Sequence, residues 1–192
     1  SALGPATFQD VDVHDMKLDC NNISGENGIN AVRCTGNVRF FNPVVKNTRH
    51  DPVTLGGRAF QFEGPDIDGI SIYSPLIYDC SIGINQQADS FAGTEKTRNI
   101  NYFDVVMRNV DVPFNIDGQF ASPELGTSEN ANVTVHSAAL YNCGKLTWPG
   151  NLGALGGGII CGDRGRGLHI AAMRIENDAS YGGIGALVHG VM

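Results

Sequence analysis

Val11-Asp12-Val13-His14-Asp15-Met16-Lys17-Leu18 and Val133-Thr134-Val135-His136-Ser137-Ala138-Ala139-Leu140 carry one apolar pattern, position for position, without a gap. Four more segments fit the same template: Val38 to Val45, Ile70 to Ile77, Ile100 to Met107 and Leu168 to Ile175. Their starts lie 27, 32, 30, 33 and 35 residues apart. Self-similarity at such a period is the mark of a stacked-repeat architecture, in which no repeat buries its apolar face alone.

Within the template, position one is Val11, Val38, Ile70, Ile100, Val133 and Leu168, and position three is Val13, Phe40, Ile72, Tyr102, Val135 and Ile170. Position two between them is always polar: Asp12, Arg39, Ser71, Asn101, Thr134 and His169. Alternation with a period of two describes a strand with one buried face. Position five holds Asp15, Asn42, Ser74, Asp104 and Ser137 in the first five segments, turn formers that end this strand and start another. The second strand runs to an apolar position eight: Leu18, Val45, Ile77, Met107, Leu140 and Ile175.

Position ten reads Cys20, Asn47, Asp79, Asn109, Asn142 and Asn177, a corner column in which Asn tolerates left-handed backbone geometry and side-chain amides bond from coil to coil. It is expected to be an internal ladder. A third apolar stretch follows, including Gly28-Ile29, Phe60-Gln61-Phe62, Gly83-Ile84, Phe114-Asn115-Ile116 and Gly158-Ile159-Ile160. The fold expected is all-β: a right-handed, single-stranded parallel β-helix of about six coils, each of three short strands, filling residues 1–192 as one domain. No amphipathic cap stands at either end, which predicts a segment of a longer chain.

Composition narrows the function classes. The 25 glycines and the many Asn and Asp suit a turn-rich β protein. Thirteen Lys and Arg against 20 Asp and Glu leave a net charge of -7, which argues against nucleic acid and an anionic membrane surface as partners. No apolar run reaches the ~20 residues that span a bilayer. Cys20, Cys34, Cys80, Cys143 and Cys161 include no CxxC pair, so neither a zinc site nor a disulfide framework is expected, and no cofactor is implied.

The run Ile70-Ser-Ile-Tyr-Ser-Pro-Leu-Ile-Tyr-Asp-Cys-Ser-Ile-Gly-Ile84 resembles coils of the pectate-lyase-like β-helix superfamily. Asn37-Val38-Arg39 with Val44-Val45-Lys46-Asn47 has the same character. Within that group the chain most resembles the β-helical bodies of bacteriophage tailspikes and related appendages. The resemblance is one of fold grammar over residues 8–190, and no motif of the calcium-dependent lyases accompanies it. It implies a virion-borne or extracellular homotrimer that meets a bacterial surface polysaccharide, and binds or hydrolyses it. The alternatives are a secreted polysaccharide lyase or hydrolase of the same superfamily, and a non-catalytic structural rod.

Two surfaces are candidates for that role. Long connections at Asn85 to Asn99 and Asp117 to Asn132 come from adjacent segments and carry Asp89, Glu95, Asp117, Glu124 and Glu129. Glycoside hydrolysis generally uses two carboxyl groups flanking the scissile bond, which makes Asp89, Asp117 and Glu124 the catalytic candidates. Beside the corner column, position nine reads Asp19, Lys46, Tyr78, Arg108, Tyr141 and Glu176, with Trp148 in a long connection nearby. Aromatic faces stack on sugar C–H groups and cationic side chains take carboxylate-bearing sugars, so Tyr78, Arg108, Tyr141 and Trp148 are the substrate-binding candidates. Position seven (Lys17, Val44, Leu76, Val106, Ala139, Arg174) is apolar in its middle members, and an outward strip of that kind marks an interface. Histidines at position four, His14 and His136, are expected to join Phe41, Tyr73 and Phe103 in an aromatic corner stack.

Overall fold

The structure is a computed structural model, and the residues it describes are 6–7, 10–32, 34–49, 57–63, 67–87, 96–117, 129–144, 159–161 and 165–178. They form an all-β parallel solenoid with no helix among them; about three turns, 10–32, 67–87 and 96–117, are described without interruption.

The first side is built by strands Val11–His14, Cys34–Phe41, Ile67–Tyr73, Lys96–Phe103, Glu129–Val135 and Gly165–Ile170, each parallel to the next. Its register is the one the repeat predicts: Val11 pairs with Val38, Val38 with Ile70, Ile70 with Ile100, Ile100 with Val133, and Val133 with Leu168. A slip of one residue would turn every apolar side chain outward, which is why so regular an alternation sets the register firmly. Ile70, Ile72, Ile100, Tyr102 and Val135 are fully buried. Position two stays at the surface, where Arg39 pairs with Asp12 (2.6 Å).

Three bends per turn are made by residues in left-handed geometry, spaced five apart: Gly69, Ser74 and Asp79 in one turn, Asn99, Asp104 and Asn109 in the next. Asn and Asp accept positive φ at low cost because a short polar side chain bonds locally. The bend before position one, at Asp10, Gly69, Asn99 and Asn132, is not evident from the repeat. At Gly69 (φ 81°) a Cβ would meet the Gly36 carbonyl oxygen at 2.8 Å, so glycine is required there by two constraints at once.

The position-ten column does stack. Asn109 lies over Asp79 and donates to it (2.8 Å), and Asn47, Asp79, Asn109 and Asn142 all have positive φ. It stands on the outside, with Asp79 and Asn109 exposed, which corrects the expected internal ladder. A left-handed corner turns the backbone away from the core and carries the side chain out with it.

A second difference concerns the strands. Leu76–Gln87 and Val105–Asp117 each run through this corner unbroken, merging the second and third sides into single strands of 12 and 13 residues. Pairing continues across the bend, from Arg108↔Tyr78 to Val110↔Cys80, so the corner bends the ladder without ending it.

The buried amide ladder lies on the third side. Asn85 Nδ2 donates to Gln61 Oε1 (2.8 Å), and Asn115 Nδ2 donates to Asn85 Oδ1 (2.6 Å). All three residues are buried, although they alternate with Phe60 and Phe62, Ile84 and Gln86, and Phe114 and Ile116. This side is therefore buried on both faces, and parallel strands so placed need polar residues to satisfy one another. Inside the core the Tyr102 hydroxyl donates to Gln86 Oε1 (3.0 Å), and full burial pushes its pKa well above the usual tyrosine value. Packing is tight at Gly83, where a Cβ would meet the Pro113 carbonyl oxygen at 2.5 Å and Met107 Sδ at 2.8 Å.

Candidate functional site

The second side presents its position-eight residues inward (Val45, Ile77, Met107 and Leu140 are fully buried), which leaves positions seven and nine on the outer face. Register makes each a continuous column. Position nine stacks Asp19 against Lys46, Lys46 against Tyr78, Tyr78 against Arg108, Arg108 against Tyr141, and Tyr141 against Glu176. Position seven stacks Lys17, Val44, Leu76, Val106, Ala139 and Arg174 in the same rows, its four apolar members half-buried.

Side chains within the strip interlock. Lys46 Nζ bonds Asp19 Oδ2 (2.8 Å) and lies 6.0 Å from the Tyr78 ring centre. Arg108 lies 5.3 Å from the ring centre of Tyr141. Arg174 is bonded to Glu176. Asp19 also accepts from Asn47 Nδ2 (2.8 Å) and the Asn21 backbone N–H (2.9 Å); with Lys46 first among the causes, its pKa is lowered to about 2. Coil stacking turns aromatic ring faces along the solenoid axis, toward the neighbouring row, so cations occupy faces of Tyr78 and Tyr141. What the strip offers a ligand approaching from the side is ring edges, hydroxyl groups and charged nitrogens.

No family model, curated protein or solved structure matches the chain. The chemistry therefore has to be read from its own side chains.

The structure brings Tyr78, Arg108 and Tyr141 together in consecutive rows of one column. Asp117 closes the strand Val105–Asp117, with its backbone paired to Gln87. Asp89, Glu95, Glu124 and Trp148 lie outside the described residues. Asp79 accepts the Asn109 amide and acts as a corner member.

On the first side the rings of position four form a continuous stack: His14 on Phe41 (4.6 Å), Phe41 on Tyr73 (4.8 Å), Tyr73 on Phe103 (4.6 Å) and Phe103 on His136 (4.0 Å), all within 8° of parallel. Its faces are consumed internally, so it supports the fold and leaves edges for a ligand. The thiols of Cys34, Cys80 and Cys143 are buried, and burial raises each pKa, that of Cys143 to about 11. Low-pKa thiolates that could act as nucleophiles are thus not found among them. Among the described residues no group of three or more His, Cys, Asp or Glu is arranged to hold a metal, and no helix is long and apolar enough to cross a membrane.

Proposed function

We propose that this chain is a six-coil, right-handed β-helical domain of the pectate-lyase-like kind, closest in character to a bacteriophage tailspike, and that it binds and hydrolyses a bacterial surface polysaccharide. One observation carries the binding reading: Lys46, Tyr78, Arg108 and Tyr141 occupy successive rows of one outward column. Strand spacing sets the rows ~4.8 Å apart, so the column presents hydroxyls and cations at intervals close to the length of a sugar residue. A rigid sheet holding polar groups at a fixed repeat suits a polymer that repeats on the same scale, and preorganisation limits the entropy lost on binding.

Cleavage is assigned to Asp89, Asp117 and Glu124, carboxyl groups contributed by neighbouring rows, in the paired-carboxyl arrangement that glycoside hydrolysis requires. The assembled form is a homotrimer on the virion or outside the cell, as in the appendages the sequence resembles.

The test is to incubate the full chain with a panel of capsular and O-antigen polysaccharides, then measure retention and the appearance of new reducing ends. Retention of at least one polysaccharide, with reducing ends lost in Asp89→Ala and Asp117→Ala, is the expected result. Reducing ends released undiminished by both variants remove the catalytic assignment. No retention of any polysaccharide sinks the binding reading as well.

A further inference from the structure

We infer that the polysaccharide is acidic, that it lies along the solenoid axis over the position-nine column, and that Arg108 takes its carboxylate between Tyr78 and Tyr141. This deepens the polysaccharide reading and rests on it.

The first observation is how the cations are used. Arg39, Arg98 and Arg174 are each bonded to a carboxylate: Asp12, Asp68 and Glu176. Lys46 is bonded to Asp19. Arg108 is exposed, at the middle of the strip, and among the described residues it has a ring beside it but no carboxylate. A guanidinium held against an aromatic face keeps its fork of N–H donors free at the edge, the geometry that takes a carboxylate through two parallel bonds.

Charge is also segregated. The two outward columns hold Lys17, Lys46, Arg108 and Arg174 against Asp19 and Glu176, four positive minus two negative, or +2, on a chain whose net charge is -7. Asp79, at the neighbouring corner, is the nearest opposing carboxylate by row, and it is engaged by Asn109. A local surplus of positive charge on an acidic protein steers an anion to this face and away from the rest of the surface.

Size decides between a thin polymer and a second subunit. From Lys17 to Arg174 the columns rise through five strand pairings. At ~4.8 Å each that is roughly 24 Å, and four residues of strand add a width of roughly 13 Å. The resulting roughly 300 Å² is well below the ~800 Å² per partner of a standard protein interface. It does match a single extended polysaccharide strand a few sugars long. The strip of Val44, Leu76, Val106 and Ala139 then supplies the apolar floor on which sugar C–H groups rest.

The experiment uses the full chain on an array of acidic and neutral bacterial polysaccharides, with each acidic one also presented after chemical reduction of its carboxyl groups. Expected results are binding confined to acidic members, weakened at least tenfold by carboxyl reduction, weakened as much by Arg108→Gln, and partly retained by Arg108→Lys. The melting temperature of Arg108→Gln should equal that of the parent, since the side chain is exposed. Binding of neutral or carboxyl-reduced polysaccharide that is unchanged by Arg108→Gln overturns the inference and leaves the polysaccharide reading standing. Absence of binding to the whole array overturns both.

Discussion

Replacing Asn85 with alanine removes the central rung of the buried ladder, and the structure sets the size of the effect. Asn85 is fully buried, donates to Gln61 Oε1 at 2.8 Å and accepts from Asn115 Nδ2 at 2.6 Å. Alanine ends both bonds and leaves the two partner atoms facing a gap. Each partner loses a bond in an environment where an unmade one costs about 1–3 kcal/mol. The pair therefore costs about 2–6 kcal/mol, with nothing gained from burying a methyl group in place of an amide. For a domain of this size, each kcal/mol moves the melting temperature by about 2–4 °C. A loss of at least about 4 °C is expected, with a matching fall in the urea midpoint and an unchanged denaturant slope. Asn109→Ala is the comparison, because its bond to Asp79 is exposed and water replaces the missing partner. The double variant Asn85→Ala/Asn115→Ala should cost less than the sum of the singles, since both delete one shared bond. A melting temperature within 1 °C of the parent for Asn85→Ala would refute the claim that this column secures the third side.

Two further outcomes follow from packing and charge. Gly83→Ala should destabilise by about 1–3 kcal/mol, measured by urea denaturation, because the new methyl meets a backbone carbonyl that cannot rotate away; wild-type stability would show that Pro113 yields freely. The Asp19 carboxyl should titrate near 2 by NMR, and Lys46→Ala should return it toward 3.8. Since the folded value is the depressed one, this contact favours the folded state above the ordinary carboxylate range and is lost as pH falls toward 2. Titration at an ordinary carboxylate value in the parent would show that the Lys46 contact is absent in solution.

Reading the chain alone was enough for the registered first and second sides. Val11, Val38, Ile70, Ile100, Val133 and Leu168 are recognisable as one column because a strand with one wet face must alternate, and alternation leaves a trace in a single sequence. The same trace places Tyr78, Arg108 and Tyr141 side by side. It fails on the third side. Both faces there are dry, so Gln61, Asn85 and Asn115 have the spacing of solvent residues while standing in the interior. Polarity in a sequence records hydrogen bonding, and water is only one of the partners that supply it. The outer corner was misplaced for a related reason, since an Asn that turns the backbone and an Asn that bonds inside a core are written with the same letter. Which cations are neutralised is likewise invisible before folding, because the carboxylates of Asp12, Asp68 and Asp19 lie some thirty residues from Arg39, Arg98 and Lys46 along the chain. Only the stacking of rows shows that those charges are paired while Arg108 stands open, because a contact between rows depends on coil length as well as on residue type.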